Sequence, residues 1–417
     1  MILGLANNKY KWPLAINDFS LLDRLKICSF FLNYKNRWTQ DKYVKIYENK
    51  LKDYVGCLYS IFVSSGSVAN QLVAQYTKDK LIKNGLWPKK NKVIFNSVTW
   101  TTNISPFIRE GFEPIFVDVN LNDFCLDYKK TEEIIKENKD QIALVFPTAV
   151  LGFTPNIEKL YKIKNTYDVD LKLDACENLM GEYEDLFHSV TRNICSFFTS
   201  TTSCFIAHQI TTGSEGGFIF TNDKQEYLYY LLSRAHGLRR NILSYSDNIT
   251  NLAGELNKHT NTLVDSQFDF QTLSSNYRSS DIAAFCGLLD FKKINDNKLR
   301  RIFLYELYSN NLDSEKYYLP NTRENITDVP FCLPIIVYGK DKENRIKKVK
   351  ELLDNQKIER RSFISGNILR QKPYQKYGNY KDYRNAEYLN NFALYIGLHQ
   401  KVKEQDILDL TKFLNNI

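Results

Sequence analysis

Between about residues 40 and 240, short apolar runs alternate with longer stretches in which apolar and charged residues recur at helical spacing. The apolar runs are Lys92–Phe95, Pro114–Val119, Ile142–Phe146, Val169–Asp174, Ile194–Phe198 and Gly217–Phe220. Each is four to six residues long and nearly continuous, so the pattern predicts strands buried on both faces and hence mostly parallel pairing. Thr131–Asn138, Ile157–Thr166 and Gln71–Leu81 have helical length and texture. This strand–helix alternation predicts an α/β domain whose sheet is linked by crossover helices.

The texture changes after about residue 285. Asp290–Tyr308 reads as one long charged helix, Phe331–Val337 as a strand, and Lys340–Gln356 as a Lys-rich helix. These elements predict a smaller α+β domain. Three parts follow: an N-terminal segment 1–40, a large α/β domain 41–285 and a C-terminal domain 286–417. Residues 240–275 are polar and turn-rich, which predicts a loop placed to line a site.

Composition narrows the class. The chain has 417 residues, 43% hydrophobic and 25% charged, with only 10 prolines and 17 glycines, as expected of a globular protein. No apolar run is long enough to span a bilayer, and the first residues lack the layout of a secretory signal, so neither membrane insertion nor secretion is expected. Eight cysteines without paired spacing predict reduced thiols in a cytoplasmic protein. The 56 basic and 48 acidic residues are interspersed, so the net charge of +8 predicts a mildly basic surface rather than a nucleic-acid partner; it also suits a small anionic substrate.

Several standard motifs are missing: a Gly-x-Gly-x-x-Gly turn after a strand, a Walker loop, His-Glu-x-x-His and Cys-x-x-Cys. No metal site is therefore expected. Four other pieces carry chemistry. Ser64–Asn70 leads into a helix; its small residues let backbone amides approach an anion, although the same pattern makes an ordinary N-cap. Trp100 follows a strand end, where an aromatic ring stacks on a flat cofactor or simply fills a core. Asp174 ends a buried strand, where a carboxylate holds a protonated ring nitrogen or caps a helix. Ser203–Gly217 places a hydroxyl, then His208, before a Gly-rich turn into a strand.

In this order the four pieces resemble the DegT-type PLP-dependent enzymes of nucleotide-sugar biosynthesis. The likeness extends from about Trp38 to the end. It includes Trp38-Thr39-Gln40, Ser65-Gly66-Ser67, Gly111–Val119, Asp174, Ser203–Gly217 and Ser275-Asn276-Tyr277-Arg278 with Ala283-Ala284. The resemblance implies the fold of aspartate aminotransferase, fold type I: a large domain with a mostly parallel sheet and a smaller α+β domain. It also implies a homodimer with shared active sites. By the same likeness, Gly66, Ser67 and Ser203 bind the cofactor phosphate and Trp100 stacks on the pyridine ring. Asp174 pairs with the pyridinium nitrogen, Glu177 sits near the ring hydroxyl, and Asn276 reaches the phosphate of the neighbouring subunit.

One position departs from the aminotransferases of that family. Where they carry a Schiff-base lysine this chain has His208, and no lysine occurs from Leu173 to Asp223. An imidazole cannot tether the cofactor, but it moves protons near neutral pH. The swap is similar to a subgroup of 3-dehydratases acting on nucleotide-linked 4-keto-6-deoxyhexoses through pyridoxamine phosphate (PMP), with the histidine as base. Ser365–Gln371 and Tyr395–His399 resemble that subgroup too, implying substrate-side roles for Asn367 and Arg370. One subtype of these enzymes carries an iron–sulfur cluster on clustered cysteines. No cysteine lies between Cys204 and Cys286, so no cluster is expected. The glutamate-dependent subtype fits better, with a GDP- or CDP-linked sugar; GDP-4-keto-6-deoxymannose is its precedent. The alternatives are a sugar aminotransferase of the same family or a non-catalytic relative. Ser214 reads as a one-residue insertion in a Gly-Glu-Gly-Gly loop, and Ser275 replaces the tyrosine that usually precedes Asn276; the resemblance places both in the cofactor region.

Overall fold

The computed structural model describes residues 9–185, 190–243, 265, 268–321 and 323–417. Its centre is a sheet built from β1 (Tyr59–Val63), β2 (Lys92–Asn96), β3 (Glu113–Val117), β4 (Ile142–Val145) and β5 (Leu173–Asp174). After the short hairpin β6 (Glu182–Asp185) and β7 (Val190–Asn193), the chain returns to it with β8 (Ser200–Ser203) and β9 (Gly217–Thr221). The ladders run β3-β2-β4 and β5-β8-β9-β1. Parallel bridges Val145–Leu171 and Thr148–Asp174 join them into one seven-stranded layer. Only β9 runs antiparallel to its neighbours.

The expected strands therefore form, with one correction. Ile194–Phe198 is not a strand: Ile194–Ser196 is a 3-10 turn whose first donor, the Cys195 N–H, is capped by the Asn193 side chain at 2.9 Å. The strand in that place is β8, whose four residues are all hydroxylated and all buried. Inter-strand pairing, not apolar character, selects it.

Helices cover both faces. They include α1 (Leu21–Leu32), α2 (Lys42–Val55), α3 (Gly66–Lys83), α4 (Thr101–Arg109), α5 (Tyr128–Asn138), α6 (Ile157–Tyr167) and α7 (Lys224–Ser233). The long helix expected over Asp290–Tyr308 is two helices, Asp281–Phe291 and Ile294–Asn311. They part at Lys292–Lys293, where the Asp290 carboxylate accepts the Thr211 N–H (2.9 Å) and Lys293 Nζ donates to the Asp18 carbonyl (2.7 Å). The first bond holds the break against the loop that carries His208, and the second ties it to the N-terminal segment. Residue 285 lies inside the first of these helices, which packs on α2.

A second, antiparallel sheet has the order β10 (Tyr317–Tyr318), β12 (Cys332–Val337), β14 (Ala393–Gly397), β13 (Arg360–Ser362), while β11 (Ile326–Thr327) extends the β6–β7 hairpin. Leu333, Ile335 and Val337 pack with Leu304, Tyr308, Val349, Ile407 and Leu414 from the helices beneath, giving the C-terminal part its own core. Most of the expected 240–275 loop, residues 244–264 and 266–267, lies outside the described residues. Among the described residues no helix is long and apolar enough to cross a membrane.

Candidate active site

The carboxyl ends of the parallel strands gather most of the residues singled out in the sequence, as expected for an open α/β sheet. Gly66 starts α3 just after β1, Trp100 caps α4 after β2, Asp174 ends β5 and Ser203 ends β8.

The start of α3 is pressed against the strands. A Cβ on Gly66 would lie 2.7 Å from Cys176 Sγ and 2.8 Å from Ser203 Cβ, and one on Gly217 would overlap the Ser65 and Gly66 backbone. Two glycines therefore let three chain segments meet, and the first amides of an 18-residue helix open beside Ser203. Ser65 caps this helix by accepting the Val68 N–H (3.2 Å), and the Ser67 hydroxyl donates to Thr102 Oγ1 (3.0 Å).

Asp174 is buried and accepts three hydrogen bonds. Its Oδ2 accepts from Asn70 Nδ2 (2.8 Å) and Asn103 Nδ2 (3.0 Å), and its Oδ1 accepts the Cys176 N–H (3.0 Å). Asn70 is fixed in turn by the Thr201 hydroxyl, which donates to its Oδ1 at 2.6 Å. The sequence reading did not assign Asn70 and Asn103, the residues that hold this carboxylate. Asn70 and Asn103 lie 104 and 71 residues from Asp174 in the chain, so no local spacing signals either.

Glu177 accepts the Leu151 N–H at 2.7 Å. Burial pushes its carboxyl up to about 8, and the charge of Asp174 adds to the rise, so it carries a proton at neutral pH. Trp100 is 55% exposed, which removes the core-filling reading of that ring. Ser203 Oγ accepts the Phe205 N–H (3.3 Å).

His208 sits in the loop between β8 and β9, edge-on to Phe205 and Phe331 with centroids 5.9 and 5.6 Å away. Its Nδ1 is buried without a hydrogen-bond partner. Burial lowers its pKa to about 4 against the pull of the Ser203 and Cys176 backbone, so the ring is neutral at pH 7. Lys172, two residues before Asp174, is buried in an ion pair with Glu226 and offers no amine here.

Two further groups border this region. Ser365 Oγ donates to the Thr99 carbonyl (2.5 Å) and Ile368 N–H to the Ser97 carbonyl (2.9 Å), so the Asn367–Arg370 turn packs on the loop that carries Trp100. Asn367 is buried; its amide donates to the Tyr380 carbonyl and to Glu387, and its side-chain carbonyl accepts the Leu369 N–H. Arg370 is exposed, paired bidentately with Glu387 (2.9 and 2.6 Å) over the Tyr380 ring. Asn276 is exposed. It precedes Tyr277, whose carbonyl accepts the Ser64 N–H (3.1 Å), and its own side chain accepts from Arg278 Nε (3.0 Å).

The DegT/DnrJ/EryC1/StrS aminotransferase family model matches residues 32–414. The chain is 29% identical over 402 residues to a GDP-4-keto-6-deoxy-D-mannose 3-dehydratase of Escherichia coli O55:H7, covering 93% of this chain and 95% of that one. A crystal structure of the E. coli GDP-4-keto-6-deoxy-D-mannose-3-dehydratase with bound hydrated PLP superposes with a TM-score of 0.82 at 25% identity, over 98% of this chain and 99% of that one. A GDP-4-keto-6-deoxymannose-3-dehydratase with a trapped PLP-glutamate geminal diamine gives 0.83 at 26% identity, over 97% and 100%.

Proposed function

Because the chain belongs to the DegT/DnrJ/EryC1/StrS aminotransferase family, we propose that it is a PMP-dependent 3-dehydratase. It removes the C3 hydroxyl of a GDP- or CDP-linked 4-keto-6-deoxyhexose, with glutamate as amino donor and His208 as base. The observation that carries this reading is the neutral imidazole of His208, with its Nδ1 buried and without a partner, in a stretch without lysine. A family member with no amine to tether its cofactor must use that cofactor in a dissociable form, and an imidazole in the same loop keeps the proton-transfer task.

The residues present fit the cofactor. The narrow cradle at Gly66, with the α3 amides and the Ser67 and Ser203 hydroxyls, suits a phosphate. Asp174, already charge-stabilised by three donors, suits a pyridinium N–H. When bound, PMP supplies a primary amine that condenses with a ketone and a ring that accepts the electron pair left at its methylene carbon. Gly66, Ser67 and Ser203 would hold its phosphate, Trp100 would stack on its ring, and Asp174 would pair with its ring nitrogen. Glu177 presents its protonated carboxyl toward the ring hydroxyl. With the cofactor bound, His208 would be the residue that takes a proton from its methylene carbon and returns one to the departing oxygen. Arg370, exposed beside the Trp100 loop, meets the sugar nucleotide, and Asn367 fixes the turn on which Arg370 is carried.

The active form is a homodimer. Phe270 and Leu273, 60% and 97% exposed, flank the segment of Asn276 and support a second copy on this face, with Asn276 reaching the partner's phosphate. The test is incubation with PLP, glutamate and a panel of nucleotide-linked 4-keto sugars, read by mass. Loss of one oxygen with ammonia release is expected. Gain of an amine in its place overturns the reading in favour of an aminotransferase.

A further inference from the structure

Behind His208 lies a second histidine that the reaction above does not use. His399 follows β14, is only 8% exposed, and neither ring nitrogen makes a hydrogen bond, although the Pro13 carbonyl faces it. It borders two cavities. The inner one, of ≈ 20 Å³, is shared with His208, Asn297, Arg301 and Gln400 beneath the strap Leu14–Asp18. The outer one is a groove of ≈ 250 Å³ between Trp12, Ile358 and Phe413. No other histidine lines either cavity.

The inner cavity admits one water and offers it the polar partners a buried water needs. Buried imidazole nitrogens without partners are rare, and here two rings with such nitrogens border the same small space. Charged groups face His399 on both sides. Arg301, Asp290 and Asp18 lie inward, while Lys11, Lys401, Asp406 and Asp409 line the groove. Asp18 is tied to Lys401 (3.0 Å) and Gln400 (2.7 Å), and Arg301 Nη1 donates to the Phe331 and Leu398 carbonyls, so the walls are fixed.

We propose that His399 and one water shared with His208 form a rear proton path, which exchanges the proton of His208 with solvent through the groove while substrate covers the opposite side. It rests on the reading of His208 as base. The transfer balances. As His208 accepts a proton at one nitrogen it gives one up from the other to the water, and the water passes one to His399. His399 releases one from its second nitrogen into the groove. His399 touches no reacting atom and is a positioning and relay residue.

The test has two arms. In 15N-histidine-labelled protein without cofactor, His399→Phe is expected to move the His208 Nδ1 resonance, and His399→Gln to leave it near its original place; an unmoved signal in the Phe variant overturns the shared water. In the loaded protein, the conversion of PLP to PMP by glutamate is followed by absorbance against pH. Both variants are expected to slow it on the order of tenfold and to recover speed with added imidazole. A wild-type rate in His399→Gln overturns the relay. If the wild type itself does not react with glutamate, the proposed function fails, and the resonance arm still decides the shared water.

Discussion

Asp174 and His208 are both withdrawn from water at the carboxyl end of the sheet, and their surroundings are opposite in kind. Asp174 accepts three hydrogen bonds, and one of its donors, Asn70, is itself locked by Thr201. His208 has aromatic edges around it and an Nδ1 with no partner. The difference separates two tasks. The carboxylate, proposed to hold a ring N–H, is fixed in place by three donors. The imidazole, proposed to gain and lose a proton, is kept neutral by burial, which outweighs the Ser203 and Cys176 backbone contacts that favour its charged form.

The sharpest way to break this contrast is to remove the imidazole. His208→Asn is expected to lower sugar turnover by at least about 10³-fold, while PMP still binds by absorbance; retained dehydration removes His208 as base. Borohydride treatment of the PLP-loaded wild type is expected to leave no cofactor on any lysine.

The next effect is on stability. His208 is depressed to about 4 from an ordinary 6.5, so the unfolded chain takes up this proton first as pH falls. Its contribution is present above pH 6.5 and is lost as pH falls toward 4. Urea titrations at pH 7 and pH 4 are expected to show wild type losing on the order of 3 kcal/mol more than His208→Asn over that interval. Equal losses would show that burial does not hold the ring neutral.

On the other side of the contrast, Asp174→Asn keeps the shape and removes the charge. Cofactor retention on dialysis is expected to weaken by about 10²-fold, with the fold intact by circular dichroism. The smallest effect concerns the cradle. Gly66→Ala forces a methyl group between Cys176 and Ser203 and is expected to cost about 1–3 kcal/mol of unfolding free energy. Phosphate-containing cofactor should then bind less tightly.

Much of the large domain was legible because its strands are nearly pure apolar runs: β2, β3, β4 and β9 lie where the pattern puts them. β8 was not, because Ser200-Thr201-Thr202-Ser203 has no apolar residue, and only its neighbours β5 and β9 make it a strand. Ile194–Phe198 misled for the converse reason: Ile194, Cys195 and Phe198 are buried from a turn, where burial does not require alternation. The break at Lys292–Lys293 depends on contacts with Asp18 and Thr211, which are far away in sequence. In the site, the strand-end residues were readable from their order. Asn70 and Asn103 were not singled out, because a hydrogen bond to a distant carboxylate leaves no local pattern. Asn367 looked like a contact residue, yet its side chain is occupied by the Tyr380 carbonyl, Glu387 and the Leu369 N–H.

The Gly217 backbone lies directly against Ser65 and Gly66, so the far end of the His208 loop is anchored to the start of α3. Between that anchor and Ser203 the chain contributes no strand to the sheet. Such a loop behaves like an exchangeable tool head on a rigid handle. Replacing the one side chain at its tip leaves the packing of Gly66 against Cys176 and Ser203 in place, so a lineage could trade one kind of chemistry for another by substituting a single residue.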